Sequence, residues 1–261
     1  MPKFSKKTSG GKKPKRAFKK KAGKKMTFAK KVMKVVSKQA EHKKVSVTAS
    51  SYFYMSSGVV QINLVPNAST MLIAQGTGQG DRIGNKIKTK RVVMKYILYP
   101  TGYNASTNPT PTPADVRIFI GRNRVSPALA CNTGTTLFQN GDSSNGLTGS
   151  LADVIMPLNR DVNHVYKEFR HKVGHQYNSS SSGGSSINQF QSNNDYKMNV
   201  MRTVDVTKWV PKTLTYSDGV TAPTVPSTYF NIWYANADNS NDSSTTSYAI
   251  WYSIQYEFED Y

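Results

Sequence analysis

The 261-residue sequence contains one cysteine, Cys131, and no hydrophobic run long enough to cross a bilayer. A single cysteine excludes a disulfide within the chain, and it fits a reducing compartment such as the cytosol or the nucleus. A membrane-spanning helix needs about 18 or more consecutive apolar residues, so we expect no stable membrane insertion. Lysines interrupt each apolar run near the N-terminus, so the pattern of a secretory signal is not met.

Motifs of catalysis are also missing. The sequence has no nucleophile elbow, no paired-carboxylate signature and no His-Glu helix. The glycine-rich stretch 76–80 is not followed by the Gly-Lys-Ser/Thr that a phosphate-binding loop requires. We predict that the protein is not an enzyme and takes no cofactor. A Ser-His-Asp set drawn from distant positions stays open, because its members need not be close in sequence.

Candidate metal ligands are few and scattered. On a strand, His164 and His171 would point to opposite faces, His175 lies farther on, and Cys131 has no second cysteine near it. The acidic loop 238–242 lacks the spacing and the glycine of an EF-hand. We predict no metal site.

Positive charge is concentrated at the N-terminus. Residues 1–44 hold eighteen Lys and Arg against one acid, Glu41, whereas the other 217 residues carry a net charge of only +3. A Lys-rich segment cannot bury enough apolar surface to offset its chain entropy. We therefore predict two parts: a Lys-rich arm over 1–44, disordered without a partner, and a folded domain over 45–261. The charge of the arm indicates a polyanionic partner.

Two segments of the arm have further patterns. In 26–38, apolar residues recur at three- and four-residue steps between lysines, which predicts a short amphipathic helix formed against a partner. That partner could be the inner face of the folded domain or nucleic acid, and membrane disruption is an alternative. The segment 12–16 has the composition of a nuclear import signal, which also occurs in any polyanion-binding tail.

Basic residues of the arm are predicted to contact nucleic-acid phosphates. They are Lys12, Lys13, Lys15, Arg16, Lys19, Lys20, Lys21, Lys24, Lys25, Lys30, Lys31 and Lys34. Farther along, Lys86, Lys88 and Lys90 alternate on a predicted strand and share one face, with Arg91 on the opposite face. These three lysines either contact phosphates or form a solvent-exposed strand face, and both interpretations stay open.

Beyond residue 45 the hydrophobic period is two, which predicts strands. The final strand is the clearest, with aromatic and Ile side chains at alternate positions and Trp251 alone breaking the polar side. The predicted strands are Val45–Tyr54, Val59–Val65, Ile83–Tyr99, Val116–Gly121, His164–Val173, Met201–Val210, Phe230–Ala235 and Tyr248–Phe258.

Eight strands with long polar connections predict an all-β fold of two packed antiparallel sheets, arranged as a single jelly roll. An immunoglobulin-like sandwich is the main alternative, but its strands are usually more closely spaced in sequence. The longest connection, 123–162, could hold a short helix near 151–156.

The stretch from Ala74 to Ile87, running into the strand that follows, resembles a segment of the capsid proteins of small circular Rep-encoding single-stranded DNA viruses, circovirus-like in the broad sense. Similar sequence segments occur in coat proteins of some small RNA viruses. The residues that carry the resemblance are Gly76, Gly78, Arg82, Gly84 and Ile87. The layout of basic arm, glycine–arginine segment and eight strands is similar too, although circovirus arms are Arg-rich and this arm is Lys-rich.

The resemblance implies a capsid protein that assembles, in about 60 copies, into an icosahedral shell. It also implies a single-stranded DNA genome, a place in the virion, and assembly in the host nucleus with contacts to import machinery and a cell-surface receptor. The alternatives are a coat protein of a small RNA virus and a non-viral nucleic-acid-binding protein with a basic tail. Such a protein would more often place aromatic residues beside its basic residues.

Overall fold

The computed structural model describes Phe28 and residues 41–53, 58–67, 70–101, 112–180, 186–191, 196–239 and 248–260. The tract 1–25 and, apart from Phe28, the predicted helix 26–38 lie outside the described residues. Within the described ranges, no helix has the length and hydrophobicity that a membrane span requires.

Strands form most of the regular structure in the described part of the chain, as expected from its many β-branched and aromatic residues. The longest connection contains a four-residue helix, α1 (Ala152–Ile155), where the sequence predicted one. The strands are β1 (Glu41–Phe53), β2 (Val60–Asn63), β3 (Lys86–Pro100), β4 (Ala114–Asn123), β5 (Phe138–Asn140), β6 (Ser143–Asn145), β7 (Asn163–Val173), β8 (His175–Ser180), β9 (Ser186–Gln191), β10 (Val200–Asp205), β11 (Thr213–Thr215), β12 (Tyr229–Asn236) and β13 (Tyr248–Asp260).

Nine of these strands build two antiparallel sheets, eight of them in the main strand orders. The first sheet has the order β1-β13-β3-β10, with β11 also beside β3, and the second has the order β2-β12-β4-β7. Ranked along the chain, the eight strands lie in the orders 1-8-3-6 and 2-7-4-5, the double Greek key of a jelly roll. The predicted fold class is therefore confirmed, and each of the eight predicted strands has a counterpart.

One apolar core fills the space between the two sheets. On β13, Ile250, Ile254 and Phe258 are fully buried and alternate with outward-facing residues, as the period of two predicts. Trp251 faces outward, is 49% exposed, and donates a hydrogen bond from Nε1 to the Tyr99 hydroxyl at 2.8 Å. The interior of the sandwich is thus occupied by the protein's own side chains.

A second core lies on the outer face of the second sheet. Phe119 and Trp233 project outward from β4 and β12, and Phe138 from the connection between β4 and β7 packs on the Trp233 ring. Arg117 is buried beneath the same connection and donates from Nε to Glu168 at 2.9 Å. The long segment between β4 and β7 therefore belongs to the folded body.

The stretch 176–186 lies between two of the predicted strands, His164–Val173 and Met201–Val210, where the sequence predicts only a connection. It contributes to a two-stranded hairpin of β8 and β9, with His175 opposite Gln191 and Ser180 opposite Ser186. The serine and glycine residues of this stretch have low strand propensity or none, which is why the sequence did not predict a hairpin there.

The sandwich has two opposite ends, at which the strands of both sheets begin or finish. Residues Glu41 of β1, Asp260 of β13 and Ile87 of β3 lie in register at one end of the first sheet. We call this the proximal end, because the Lys-rich segment enters the fold here. The connections after β2, β4 and β10 reach the same end, since neighbouring strands are antiparallel.

The first strand starts at Glu41, four residues before the predicted start at Val45. The reason is Lys43, whose side chain is only 2% exposed. Its ammonium group lies 3.6 Å from Oδ2 of Asp260 and donates to the Asp81 carbonyl at 2.7 Å. A charged run next to a basic arm looks solvent-exposed in sequence, whereas here one of its lysines is buried in an ion pair.

The third strand starts at Lys86 and not at Ile83 as predicted. The N–H groups of Ile83 and Gly84 donate to the Asp260 carboxylate, so they do not join a strand ladder. Ile83 itself is 59% exposed. The prediction that Ile83 begins the strand was therefore wrong, because the alternating pattern extends three residues beyond the strand itself.

The predicted strand Met201–Val210 ends at Asp205. The backbone N–H of Thr207 donates to Oδ1 of Asp205 at 3.0 Å, which turns the chain out of the sheet. Pro211 has no N–H to offer to a ladder. The chain returns to β3 only at β11, so residues 206–212 interrupt the edge of the first sheet.

The buried pair of Lys43 and Asp260 generates the first test. We expect Lys43→Met to lower the free energy of unfolding by about 3–5 kcal/mol, because it leaves the buried Asp260 carboxylate without its cation. Urea denaturation of the full chain measures this. Lys95→Met, on the exposed face of β3, is the matched control and should change stability by less than about 0.5 kcal/mol. Equal stability of the two variants would contradict the importance of the buried pair.

Candidate nucleic-acid interface

Three lysines of β3 share the outer face of the first sheet, as their alternation predicts. Lys86 and Lys90 are exposed and Lys88 is half-buried, whereas Ile87 and Thr89 between them point into the core. The structure therefore brings Lys86, Lys88 and Lys90 together on one side of the proximal end. The predicted arm residues, from Lys12 to Lys34, lie outside the described part of the chain.

A buried carboxylate organises this basic face. Glu259 of β13 is 2% exposed and lies 2.5 Å from Nζ of Lys90 and 3.7 Å from Nζ of Lys88. The ring of His42 on β1 is 3.6 Å from the same carboxylate. One negative charge thus holds two lysines, and the group keeps a net positive charge.

A β-bulge at Lys90 changes the face of Arg91. Thr89 pairs with Phe258 and Arg91 pairs with Glu257, so Lys90 has no partner residue on β13. The extra residue turns Lys90 and Arg91 to the same side. The prediction that Arg91 lies opposite the three lysines is therefore wrong: it adds to their face, where Nε is 3.8 Å from Asp205.

The interrupted edge of the sheet opens a cleft beside these lysines. Its volume is about 510 Å³. Lys88 and Lys90 line it from β3, Lys208 and Lys212 line it from the segment 206–212, and Asp205 lies at its rim. We call this the basic cleft. The sequence did not suggest these two lysines as site residues. Lys208 lies within the predicted strand Met201–Val210, and Lys212 lies in the connection that follows it.

The segment 206–212 is fixed by hydrogen bonds to β3. Thr89 donates from its backbone N–H to the Lys212 carbonyl at 2.9 Å, and Val92 donates from its backbone N–H to Oγ1 of Thr207 at 2.9 Å. Hydrogen bonds from Thr207 lower the pKa of Asp205 below its usual value, so this rim carboxylate stays ionised. One wall of the cleft is thus a loop held by hydrogen bonds to β3, and the carboxylate at the start of that loop is negatively charged.

At the proximal end, Arg82 is buried, and both terminal nitrogens of its guanidinium donate hydrogen bonds within the fold, whereas its buried Nε has no partner among the described residues. Its Nη1 donates to the Gly84 carbonyl at 2.8 Å and to Oδ1 of Asn85 at 3.0 Å, and Nη2 donates to the Val220 carbonyl at 2.9 Å. The guanidinium lies 4.3 Å from the centre of the Tyr216 ring, and burial raises the pKa of that tyrosine. With 1% exposure, Arg82 organises the loop and does not reach a ligand.

The glycines before Arg82 make room for a carboxylate. A Cβ at Gly76 or Gly78 would lie 2.6 or 2.7 Å from Oδ2 of Asp81, which accepts a hydrogen bond from the Gly78 N–H at 3.0 Å. Ile87, at the other end of the segment, is fully buried. The residues that carry the family resemblance therefore all act within the fold at the proximal end.

His171 and Cys131 pack within the fold. Tyr96 and Nε2 of His171 share a hydrogen bond of 2.8 Å, and burial lowers the pKa of His171 to about 4. Cys131 is buried beside Asn231, and burial raises the pKa of its thiol to about 12. Among the described residues, no three His, Cys, Asp or Glu side chains are grouped closely enough to hold a metal ion.

Comparisons with known proteins found no matching family model and no matching curated protein. Solved structures similar to this chain include that of Desmodium yellow mottle tymovirus, with 14% identity, a TM-score of 0.34, and coverage of 84% of this chain and 89% of that one. The mavirus penton protein has 10% identity, a TM-score of 0.20 and coverage of 84% and 99%. The BFDV capsid protein, a 60-mer, has 8% identity, a TM-score of 0.16 and coverage of 85% and 94%. These TM-scores are low, and the fold assignment rests on the strand order described above.

The role of Arg82 can be tested with a substitution that keeps its charge. We expect Arg82→Lys to lower the free energy of unfolding by about 2–4 kcal/mol, because an ammonium group cannot replace a guanidinium that serves three fixed acceptors. Arg91→Lys is the control, since Arg91 is 59% exposed and should lose less than about 0.5 kcal/mol. Thermal and urea unfolding of the full chain measure both. If Arg82→Lys were as stable as the control, Arg82 would not hold the loop.

Proposed function

We propose that the protein is a viral capsid protein that assembles into a closed icosahedral shell and packages nucleic acid through its basic arm. The observation that carries this proposal is the combination of two parts. A jelly roll filled by its own side chains is joined, at its proximal end, to a segment with most of the chain's net positive charge. Jelly rolls form capsid, lectin and cupin domains. Of these three classes, capsid proteins are the ones whose function calls for an arm that binds a polyanion.

The charge of the arm fits packaging. Arms gathered inside a shell would neutralise phosphates and release counterions, which gives strong, salt-dependent and sequence-independent binding. If the shell had about 60 copies, the arms would supply on the order of 1,000 positive charges, enough for a genome of about a kilobase. Lysine binds phosphate as a mobile point charge, which suits a flexible single strand.

We propose single-stranded DNA as the genome, by the resemblance of the Gly76–Ile87 segment to capsid proteins of circular single-stranded DNA viruses. Nuclear import through residues 12–16, assembly in the nucleus and attachment to a host receptor belong to the same proposal. A coat protein of an RNA virus differs only in the nucleic acid recovered from the particle. A basic-tailed binding protein differs in forming no shell.

The test is electron microscopy of the purified full chain at near-physiological salt, with nuclease digestion of the protected nucleic acid. We expect uniform closed particles whose nucleic acid resists external nuclease and, after extraction, is degraded by a single-strand-specific DNase and not by RNase. RNase sensitivity would replace the DNA genome with RNA. Nucleic-acid binding without closed particles would contradict the capsid proposal and favour the basic-tailed binding protein.

We propose a boundary between arm and folded domain after residue 40, where β1 begins, in place of the sequence-based boundary after residue 44. The two boundaries differ by residues 41–44, among them Lys43, which forms a buried ion pair with Asp260 at the proximal end. We expect a variant lacking 1–40 to fold with near-native stability and to lose protected nucleic acid. A variant lacking 1–44 should lose about 3–5 kcal/mol more of unfolding free energy. Urea denaturation and the ratio of absorbance at 260 and 280 nm measure these effects, and equal stability of the two truncations would contradict the boundary.

A further inference from the structure

The basic cleft holds more positive charge than its own carboxylates can neutralise. Four lysines line it, and Arg91 lies at its rim through its contact with Asp205. Within the described part of the chain, the carboxylates of Asp205 and Glu259 lie among these five cations, and the charges of these seven side chains sum to +3. Like charges held close together on a rigid sheet repel one another, and a bound anion relieves that repulsion.

Two features position the lysines toward the cleft. The buried Glu259 carboxylate holds Lys88 and Lys90 from below, within 3.7 and 2.5 Å. On the other wall, Nζ of Lys208 lies 4.9 Å from the centre of the Trp209 ring, a cation–π contact that limits where the ammonium group can lie. Contacts within the fold therefore limit the positions of three of the four lysines that line the cleft.

The chemistry of the cleft selects a phosphate backbone over bases. The Trp209 ring stacks on Tyr166, with centres 6.3 Å apart and planes inclined by 16°, and Lys208 covers it as well. That aromatic surface is therefore occupied and does not serve as a stacking platform for bases. Ammonium groups bind the charged phosphodiester and carry no sequence preference.

The position of the cleft connects it with the arm. The Lys-rich segment enters the fold at Glu41, and the next residue, His42, contacts the same Glu259 that holds Lys88 and Lys90. A nucleic-acid strand neutralised by the arm would meet the body first at this end of the first sheet. We propose that the basic cleft is a phosphate-binding site of the folded domain, which holds the backbone of the packaged single strand against the shell wall. This inference rests on the proposed function.

Lysine acetylation footprinting of the full chain tests the proposal. The chain is treated with an acetylating reagent with and without a 20-nucleotide oligo(dT), in the same assembly state as judged by sedimentation, and modification is measured by mass spectrometry. We expect oligo(dT) to slow acetylation of Lys208 and Lys212 several-fold, and the effect to disappear in high salt. Lys95 and Lys167, which are exposed elsewhere on the two sheets, serve as controls and should not change.

The outcomes separate the cleft from the arm. Protection of the arm lysines without Lys208 and Lys212 would overturn the cleft and leave the proposed function standing. If the arm lysines were unprotected as well, the proposed function would fail too. Equal protection by inorganic phosphate at the same phosphate concentration would make the cleft a free-anion site and overturn its assignment to a nucleic-acid backbone.

A pair of variants provides a second measurement. For single strands, each phosphate contact contributes about −0.7 to the slope of log K against log salt concentration. In the full chain, Lys208→Gln with Lys212→Gln should therefore reduce the steepness of that slope for labelled oligo(dT) by about 1.4, as measured by fluorescence anisotropy. Lys95→Gln with Lys167→Gln removes the same charge elsewhere and should leave the slope unchanged, once thermal unfolding shows that both variants are folded. Identical slopes for the two double variants would overturn the proposal.

Discussion

The buried ion pair of Lys43 and Asp260 is the constraint on which the proximal end depends. Removing two charges from water is expensive, and the attraction between them compensates only when hydrogen bonds satisfy their other groups. Here the Asp260 carboxylate also receives the N–H groups of Ile83 and Gly84, and the Lys43 ammonium donates to the Asp81 carbonyl. The pair thereby joins β1, β13 and the segment 81–84 just after the arm ends.

The outer face of the first sheet divides into two regions along its strands. At the proximal end, Lys88, Lys90 and Arg91 surround the buried Glu259, and the interrupted edge strand opens the basic cleft. Toward the other end, Trp251 and Met201 are exposed in one row across the sheet, with Ile97 between them. The basic residues that surround Glu259 thus lie at the end where the arm joins the domain, whereas Lys95 stands alone farther along the same face.

The strands were predictable because each has a buried inner face, and burial imposes a period of two on the sequence. The alternation in β13 and the shared face of Lys86, Lys88 and Lys90 follow from that period alone. Features set by distant partners were not predictable. The early start of β1 depends on Asp260 at the far end of the chain, and the position of Arg91 depends on a bulge opposite β13. The cleft was not predictable for the same reason, although Pro211, which has no N–H for a strand ladder, is a local sign that the edge strand stops.

The most direct test of this account is a cryo-electron microscopy reconstruction of particles assembled from the full chain with single-stranded DNA. The account predicts a shell in which the proximal end of the first sheet borders the interior, with nucleic-acid density beside Lys208 and Lys212. A shell in which the basic cleft faces the exterior, or is covered by a neighbouring subunit without nucleic acid, would contradict the central claim that this end of the jelly roll is the nucleic-acid side.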